Sequence, residues 1–193
     1  MSFAVFSGEN FSSKSLGLRA QKKLLGKFSS RNVAKHFIDD STADMLDNLY
    51  KILKDHYNKK EAEKVVKCMI KMTIKVGLLL RNDQFSQEDV EKLHRLQSKL
   101  RSLIKTLVSF CQVEFSYDRF YLKQLIQQLQ SQLTDLVRPH LSEKSSAQRT
   151  QLIFAHLGSE DFLDAIFKPN TKYFDLRSKI IDGLCCSLDE GRI

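Results

Sequence analysis

At 193 residues and a formal net charge of +8, the chain is long enough for one domain that buries roughly 70% of the surface its unfolded form exposes, with no need of a disulfide or structural metal. Two prolines and seven glycines, set among abundant Leu, Lys, Gln and Ser, favour long helices over short strands, so the predicted fold class is all-α: a single-domain bundle of about six to eight helices. The four irregularly spaced cysteines fit a reducing compartment, the opening Ser2-Phe3-Ala4-Val5-Phe6 lacks the pattern of a secretory signal, and no apolar run outlasts Val76 to Leu80, so a cytoplasmic protein without a transmembrane span is expected.

Residues 1–10 are expected to form a flexible start. A basic amphipathic first helix is predicted over 11–29, with Ser12 or Ser13 as its N-cap. The charge is concentrated there: Lys14, Arg19, Lys22, Lys23, Lys27, Arg31 and Lys35 face Glu9 alone, which leaves +6 of the formal +8 in the first 36 residues. Arg19, Lys23, Lys27, Arg31 and Lys35 recur every fourth residue and so share a slowly drifting stripe on a continuous helix. Beside it, Leu18, Leu24, Leu25 and Phe28 form a narrow apolar strip that meets either an anionic membrane surface or the protein's own core. A stripe of this kind suits binding of anions, against the alternative of a plain solvated face. Ser29-Ser30 interrupts the pattern and is expected to act as a hinge before a short helix from Arg31 to Ile38.

Asp39-Asp40-Ser41 ends that helix and opens the next, in which Leu46, Leu49, Tyr50, Leu53 and Tyr57 define one core-facing stripe. The segment Lys59 to Leu80 carries Lys60, Lys64, Lys67, Lys71 and Lys75 on one face and is apolar over most of the remainder. That apolar arc is much wider than the roughly 100° of an ordinary surface helix, so this helix is central or lines something. Ser86 with Asp89 is a helix-start box ahead of a long stripe from Val90 to Cys111. After a break at Phe115-Ser116-Tyr117, a helix from Asp118 to Val137 turns a glutamine-rich face outward. Pro139 and the polar run to Ser146 read as a loop, followed by shorter helices near 147–157, 160–167 and 173–188.

Catalytic chemistry finds little support. The glycines are never closer than eight residues, which excludes the Gly-rich phosphate loops and the nucleophile elbow. The five histidines stand at least sixteen apart and no C-x-x-C occurs, so no catalytic or metal site is predicted. Cys68 and Cys111 sit on apolar helix faces, where a core thiol is the expected reading. The basic stripes have no interleaved aromatics for base stacking, so nucleic acid is not the expected partner.

Several runs then carry a resemblance: Ser13-Lys14-Ser15-Leu16, Gln21-Lys22-Lys23-Leu24-Leu25-Gly26-Lys27, Phe37-Ile38-Asp39-Asp40, Leu46-Asp47-Asn48-Leu49-Tyr50, Arg81-Asn82-Asp83-Gln84-Phe85 and Val108-Ser109-Phe110-Cys111-Gln112-Val113. With Asp182-Gly183-Leu184 and Leu188-Asp189-Glu190-Gly191, they make the chain resemble the tumour necrosis factor alpha-induced protein 8 family, the TIPE proteins, from Phe11 to Ile193. The resemblance implies a cytosolic helical bundle that encloses an elongated hydrophobic cavity. It further implies a bound phospholipid or fatty acyl ligand, possible lipid transfer, peripheral recruitment to membranes, and a role in cell death, autophagy or inflammatory signalling.

Carried over by position, the residues that hold a phosphoinositide head group are Lys22, Lys23, Lys27, Arg31 and Arg81. Arginine can engage phosphate bidentately and lysine as a point charge. Val66, Ile70 and Ile74, on successive turns of the third helix, are the expected cavity lining. Gln97 and the run Lys144 to Arg149 depart from the family pattern. The alternative is a protein-interaction adaptor that binds signalling or cytoskeletal partners.

Overall fold

The computed structural model describes residues 11–25, 38–113 and 115–191, and for residues 21–25 and 143–145 the backbone alone. Eight helices are described: α1 (Ser13–Leu25), α2 (Asp40–His56), α3 (Lys59–Arg81), α4 (Gln87–Gln112), α5 (Arg119–Val137), α6 (Glu143–Leu157), α7 (Glu160–Phe167) and α8 (Phe174–Asp189). The all-α expectation holds. The predicted helix from Arg31 and the hinge at Ser29-Ser30 lie outside the described residues.

Side-chain caps explain most of the helix starts. Asp39 accepts the Thr42 N–H at 2.7 Å, Asn58 the Glu61 N–H at 2.9 Å, and Asp118 the Tyr121 N–H at 2.9 Å. Each satisfies one of the amides that a first turn leaves without a partner. At α4 the box is complete, with the Asp89 N–H donating to Ser86 Oγ and the Ser86 N–H donating to Asp89 Oδ2.

Six helices close a ring. In order, α2 packs on α3, α3 on α6, α6 on α5, α5 on α4, α4 on α8, and α8 back on α2. Within it a continuous cluster joins Leu46, Leu53, Val65, Val66, Leu103, Leu122, Ile126, Phe162 and Phe167. α1 lies outside the ring against α2 and α3, and α7 rests on α5 and α6.

One sequence expectation changes and one open alternative narrows. The polar run Ser142 to Ser146 is not all loop: α6 starts at Glu143, where the Ser146 N–H and Oγ and the Thr150 Oγ1 donate to carbonyls one turn earlier. These hydroxyls bond back to the i−4 carbonyl, the arrangement that lets a serine or threonine sit inside a continuing helix. On α1, Leu18 is 52% exposed, so of the two partners expected for its apolar strip the core is not the one that covers Leu18. The docked face is instead Ser13, Leu16, Gly17 and Ala20, with Gly17 against Ile38.

Candidate functional site

The direction of α1 positions the predicted basic residues. Phe11 stacks on Tyr50 with ring centroids 3.7 Å apart, the Ser13 N–H donates to Asp47 Oδ1 at 2.7 Å, and Lys14 pairs with Asp40 at 2.6 Å. As α1 advances, its partners step backwards along α2, so the two helices are antiparallel and α1 runs alongside α3 in the same sense. Its last turn, with Lys22 and Lys23, therefore heads for the end of the bundle where α3 stops at Arg81 and α4 begins; we call this the lower end. Arg81 is exposed in the final turn of α3. That turn is closed firmly, with Asn82 Nδ2 donating to the Leu78 carbonyl at 2.8 Å and Asp83 in the left-handed region at φ 49°. The side chains of Lys22 and Lys23, and the whole of Lys27 and Arg31, lie outside the described residues.

The interior has an uneven filling along α3. Val66, Ile70 and Ile74 are 0%, 1% and 0% exposed, so no open space of solvent size touches them. Each step of four residues rotates a helix by about 40°, so this row drifts from the interior towards the flank that α1 covers. The row that keeps facing the ring axis passes through Ala62, Met69, Thr73, Val76 and Leu80. Ala62 is sealed, but Met69 and Val76 are only half-buried, Thr73 is exposed and Leu80 is 46% exposed. Across the ring, the inward stripe of α4 behaves alike: Leu96, Leu100 and Leu107 pack on the core yet stay half-buried, and only Leu103 and Ile104 are closed over. In the lower half of the bundle these positions of α3 and α4 are thus less covered than Ile74, Leu78, Leu136 and Val137, which are buried around them. The sequence reading counts Met69, Val76 and Leu80 in the wide apolar arc of α3 but names only Val66, Ile70 and Ile74 as cavity lining; the signal for the other row is the i, i+4, i+7, i+11 spacing from Met69 through Thr73.

The Ser86, Asp89 and His140 side chains meet at the start of α4. Asp89 Oδ2 takes the Ser86 Oγ–H at 2.8 Å and lies 3.0 Å from His140 Nε2. The carboxylate stands where a nucleophilic relay needs the imidazole, so the trio is a helix cap that ties α4 to the end of α5. Burial pushes the Cys68 and Cys111 thiols up, against Arg149, Lys71 and Lys64 around the first and Arg177 by the second; both are poor nucleophiles at neutral pH. Among the described residues no three His, Cys, Asp or Glu side chains form a metal-holding group, and no helix is long and apolar enough to cross a membrane.

Comparison with known proteins gives a consistent result. The family described as "Tumor necrosis factor alpha-induced protein 8-like" matches residues 11–191. The chain is 40% identical over 184 residues to tumor necrosis factor alpha-induced protein 8 from Gallus gallus, which spans 95% of this chain and 97% of that one. It is equally 40% identical over 184 residues to the protein salivary glands marred from Drosophila melanogaster, with the same coverage. Against tumor necrosis factor alpha-induced protein 8-like protein 1 from Danio rerio it is 39% identical over 186 residues, 96% of this chain and 100% of the relative. With the family matching residues 11–191 and these relatives matched over nearly their whole length, the chain belongs to the tumor necrosis factor alpha-induced protein 8 family.

Proposed function

We propose that this chain is a cytoplasmic, non-enzymatic lipid-binding protein. Acyl chains of a phospholipid or fatty acid enter the bundle from its lower end, between the inward faces of α3 and α4. Lys22, Lys23, Lys27, Arg31 and Arg81 hold the phosphoinositide head group there. Val66, Ile70 and Ile74 form the closed wall beside that space rather than its open face. Peripheral recruitment to anionic membranes, and transfer of lipid between them, follow from the same parts. As a family member it serves in the regulation of cell death, autophagy or inflammatory signalling.

The observation that carries this reading is the coincidence, at one end of the bundle, of exposed inward-facing residues on α3, Thr73 and Leu80, with the exposed cation Arg81. Each lysine or arginine near an anionic surface contributes about 1 kcal/mol. Replacing Lys22, Lys23, Lys27 and Arg31 together by glutamine is expected to nearly abolish sedimentation with phosphoinositide liposomes while the helical circular dichroism stays intact. Unchanged sedimentation at low salt would reduce the stripe to a solvated face.

The adaptor reading has one observation in its favour, at the upper end. Phe115 is 93% exposed and held at φ 60°, with Val113, Phe120 and Phe174 also exposed at that end. A bulky residue in the left-handed region is costly unless its surroundings impose it. Here Ser116 Oγ donates to the Ser109 and Val113 carbonyls, and Tyr117 Oη to Asp164 Oδ1 at 2.9 Å, fixing the loop against α7. If Phe115→Ser abolishes function in cells while liposome binding is unaffected, the adaptor reading prevails.

A further inference from the structure

The fold places the two basic stripes of the sequence on one flank, and the head-group ligands account for only one of them. On α3, Lys60, Lys64 and Lys71 are exposed on the side away from the ring. Lys64 leans on Glu61 at 3.8 Å and Lys67 on Glu63 at 2.7 Å, whereas Lys60 and Lys71 make no ion pair among the described residues. Arg149 of α6 borders the same stripe, since it acts on the half-buried Cys68 together with Lys71 and Lys64.

Further down, α1 takes over this flank. Ile74 and Leu78 lie close to the lysine direction of α3 yet are buried, at 0% and 3% exposed, and Leu16 and Ala20 of α1 pack against the same cluster. The outward side of α1 then carries exposed Arg19 and Leu18, and the helix contains no acidic residue from Ser13 to Leu25. Cations therefore run from the start of α3 onto α1 along a face roughly 35 Å long, the length of a 23-residue helix.

Resting on the lipid-binding reading above, we infer that this α3–α1 flank is a second binding surface, for the anionic phosphate and carboxylate groups of a bilayer, and that the protein lies side-on upon it. Like charges gathered along one face repel one another until counter-charge arrives, and an extended row suits a plane of negative lipids better than one compact ligand. Leu18, an exposed leucine amid these cations, matches the apolar component of an interfacial helix. Side-on docking also keeps Arg81 and the lower end at the membrane edge, where a lipid can pass from bilayer to interior.

The test is binding to phosphatidylserine–phosphatidylcholine vesicles, which contain no phosphoinositide, by wild type, by K60Q/K64Q/K71Q, and by R95Q/K99Q/K105Q. The last removes equal charge from α4, three places round the ring from α3 in either direction. Circular dichroism establishes that both variants fold. The α3 variant is expected to lose at least about tenfold in affinity and to show a shallower salt dependence, while the α4 variant stays within about twofold of wild type. Equal binding by the α3 variant and wild type, or an equal loss in the α4 variant, overturns the flank. Loss of binding to duplex DNA in the α3 variant with vesicle binding unchanged reassigns the flank to a macromolecular polyanion and overturns it too. Failure of wild type to bind any anionic vesicle, phosphoinositide-bearing ones included, overturns the lipid-binding reading itself.

Discussion

Where α8 meets α2, Gly183 stands so close that an added Cβ falls 2.6 Å from Met45 Cγ and 2.7 Å from its Sδ. Alanine at this helical position gains about 1 kcal/mol of intrinsic propensity, and the methionine chain is flexible enough to move, so Gly183→Ala is expected to be nearly neutral. Gly183→Val adds bulk that Met45 has no room to avoid and should destabilise by about 1–3 kcal/mol in urea titration, with Met45→Ala restoring part of the loss. A neutral Gly183→Val would mean that α8 shifts freely on α2.

Asp89 makes a prediction in pH. The Ser86 hydroxyl holds its carboxyl below the ordinary range, helped by the Ser86 N–H and His140 and opposed by burial. A folded-state value below the unfolded value of about 3.9 stabilises fully above that pH, and the contribution disappears as pH falls through the folded value. Asp89→Asn should therefore lower the urea midpoint by the equivalent of about 1 kcal/mol at neutral pH, and the gap to wild type should close in acid. A gap that persists unchanged at acid pH would assign the effect to packing rather than charge.

Among the elements, α1 departs furthest from what its sequence suggests. Its cations were legible from their spacing, but its docked face was not, because Ser13, Gly17 and Ala20 are small residues that leave no hydrophobic periodicity. Contact there depends on close approach, with Gly17 against Ile38 Cβ at a distance of 3.4 Å for an added methyl, and on Asp47 receiving the Ser13 N–H. The start of α1 is thus fastened to the bundle. Phe11→Ala with Asp47→Ala removes the aromatic stack and the buried amide's acceptor together. Hydrogen exchange in that variant should show amides 14–20 losing protection while α3 and α5 retain theirs. Fast exchange of the same amides already in wild type would mean that the docked arrangement is a minor one. The start of α6 illustrates the reverse difficulty: serines at 145 and 146 look like loop chemistry, and only the back-bonds of Ser146 and Thr150 to i−4 carbonyls reveal a helix.

For the whole molecule, the all-α class and the positions of α2 to α5 were readable from apolar stripes and helix-start signals. The closure of the ring was not, because α3 on α6 and α2 on α8 join segments far apart in sequence, and no local pattern encodes which long-range pair forms. The breadth of the apolar face of α3 signalled a helix that is central or lines something, and the i, i+4, i+8 row Val66, Ile70 and Ile74 is the fully closed part of that face. The geometry separates the two rows by experiment. Ile70 is 1% exposed in a filled region, so Ile70→Trp should overpack and lower stability by about 1–3 kcal/mol. Thr73 lies on the row that faces the ring axis and is exposed, so Thr73→Trp should leave the melting temperature nearly unchanged and instead occupy the space an acyl chain needs. Lipid extracted from equal amounts of folded protein and quantified by mass spectrometry should then fall severalfold for Thr73→Trp and hold at the wild-type level for Ile70→Trp. If Thr73→Trp destabilises as much as Ile70→Trp, the lower half of the ring is a closed core, and if it is stable yet retains its lipid, the acyl chain lies elsewhere.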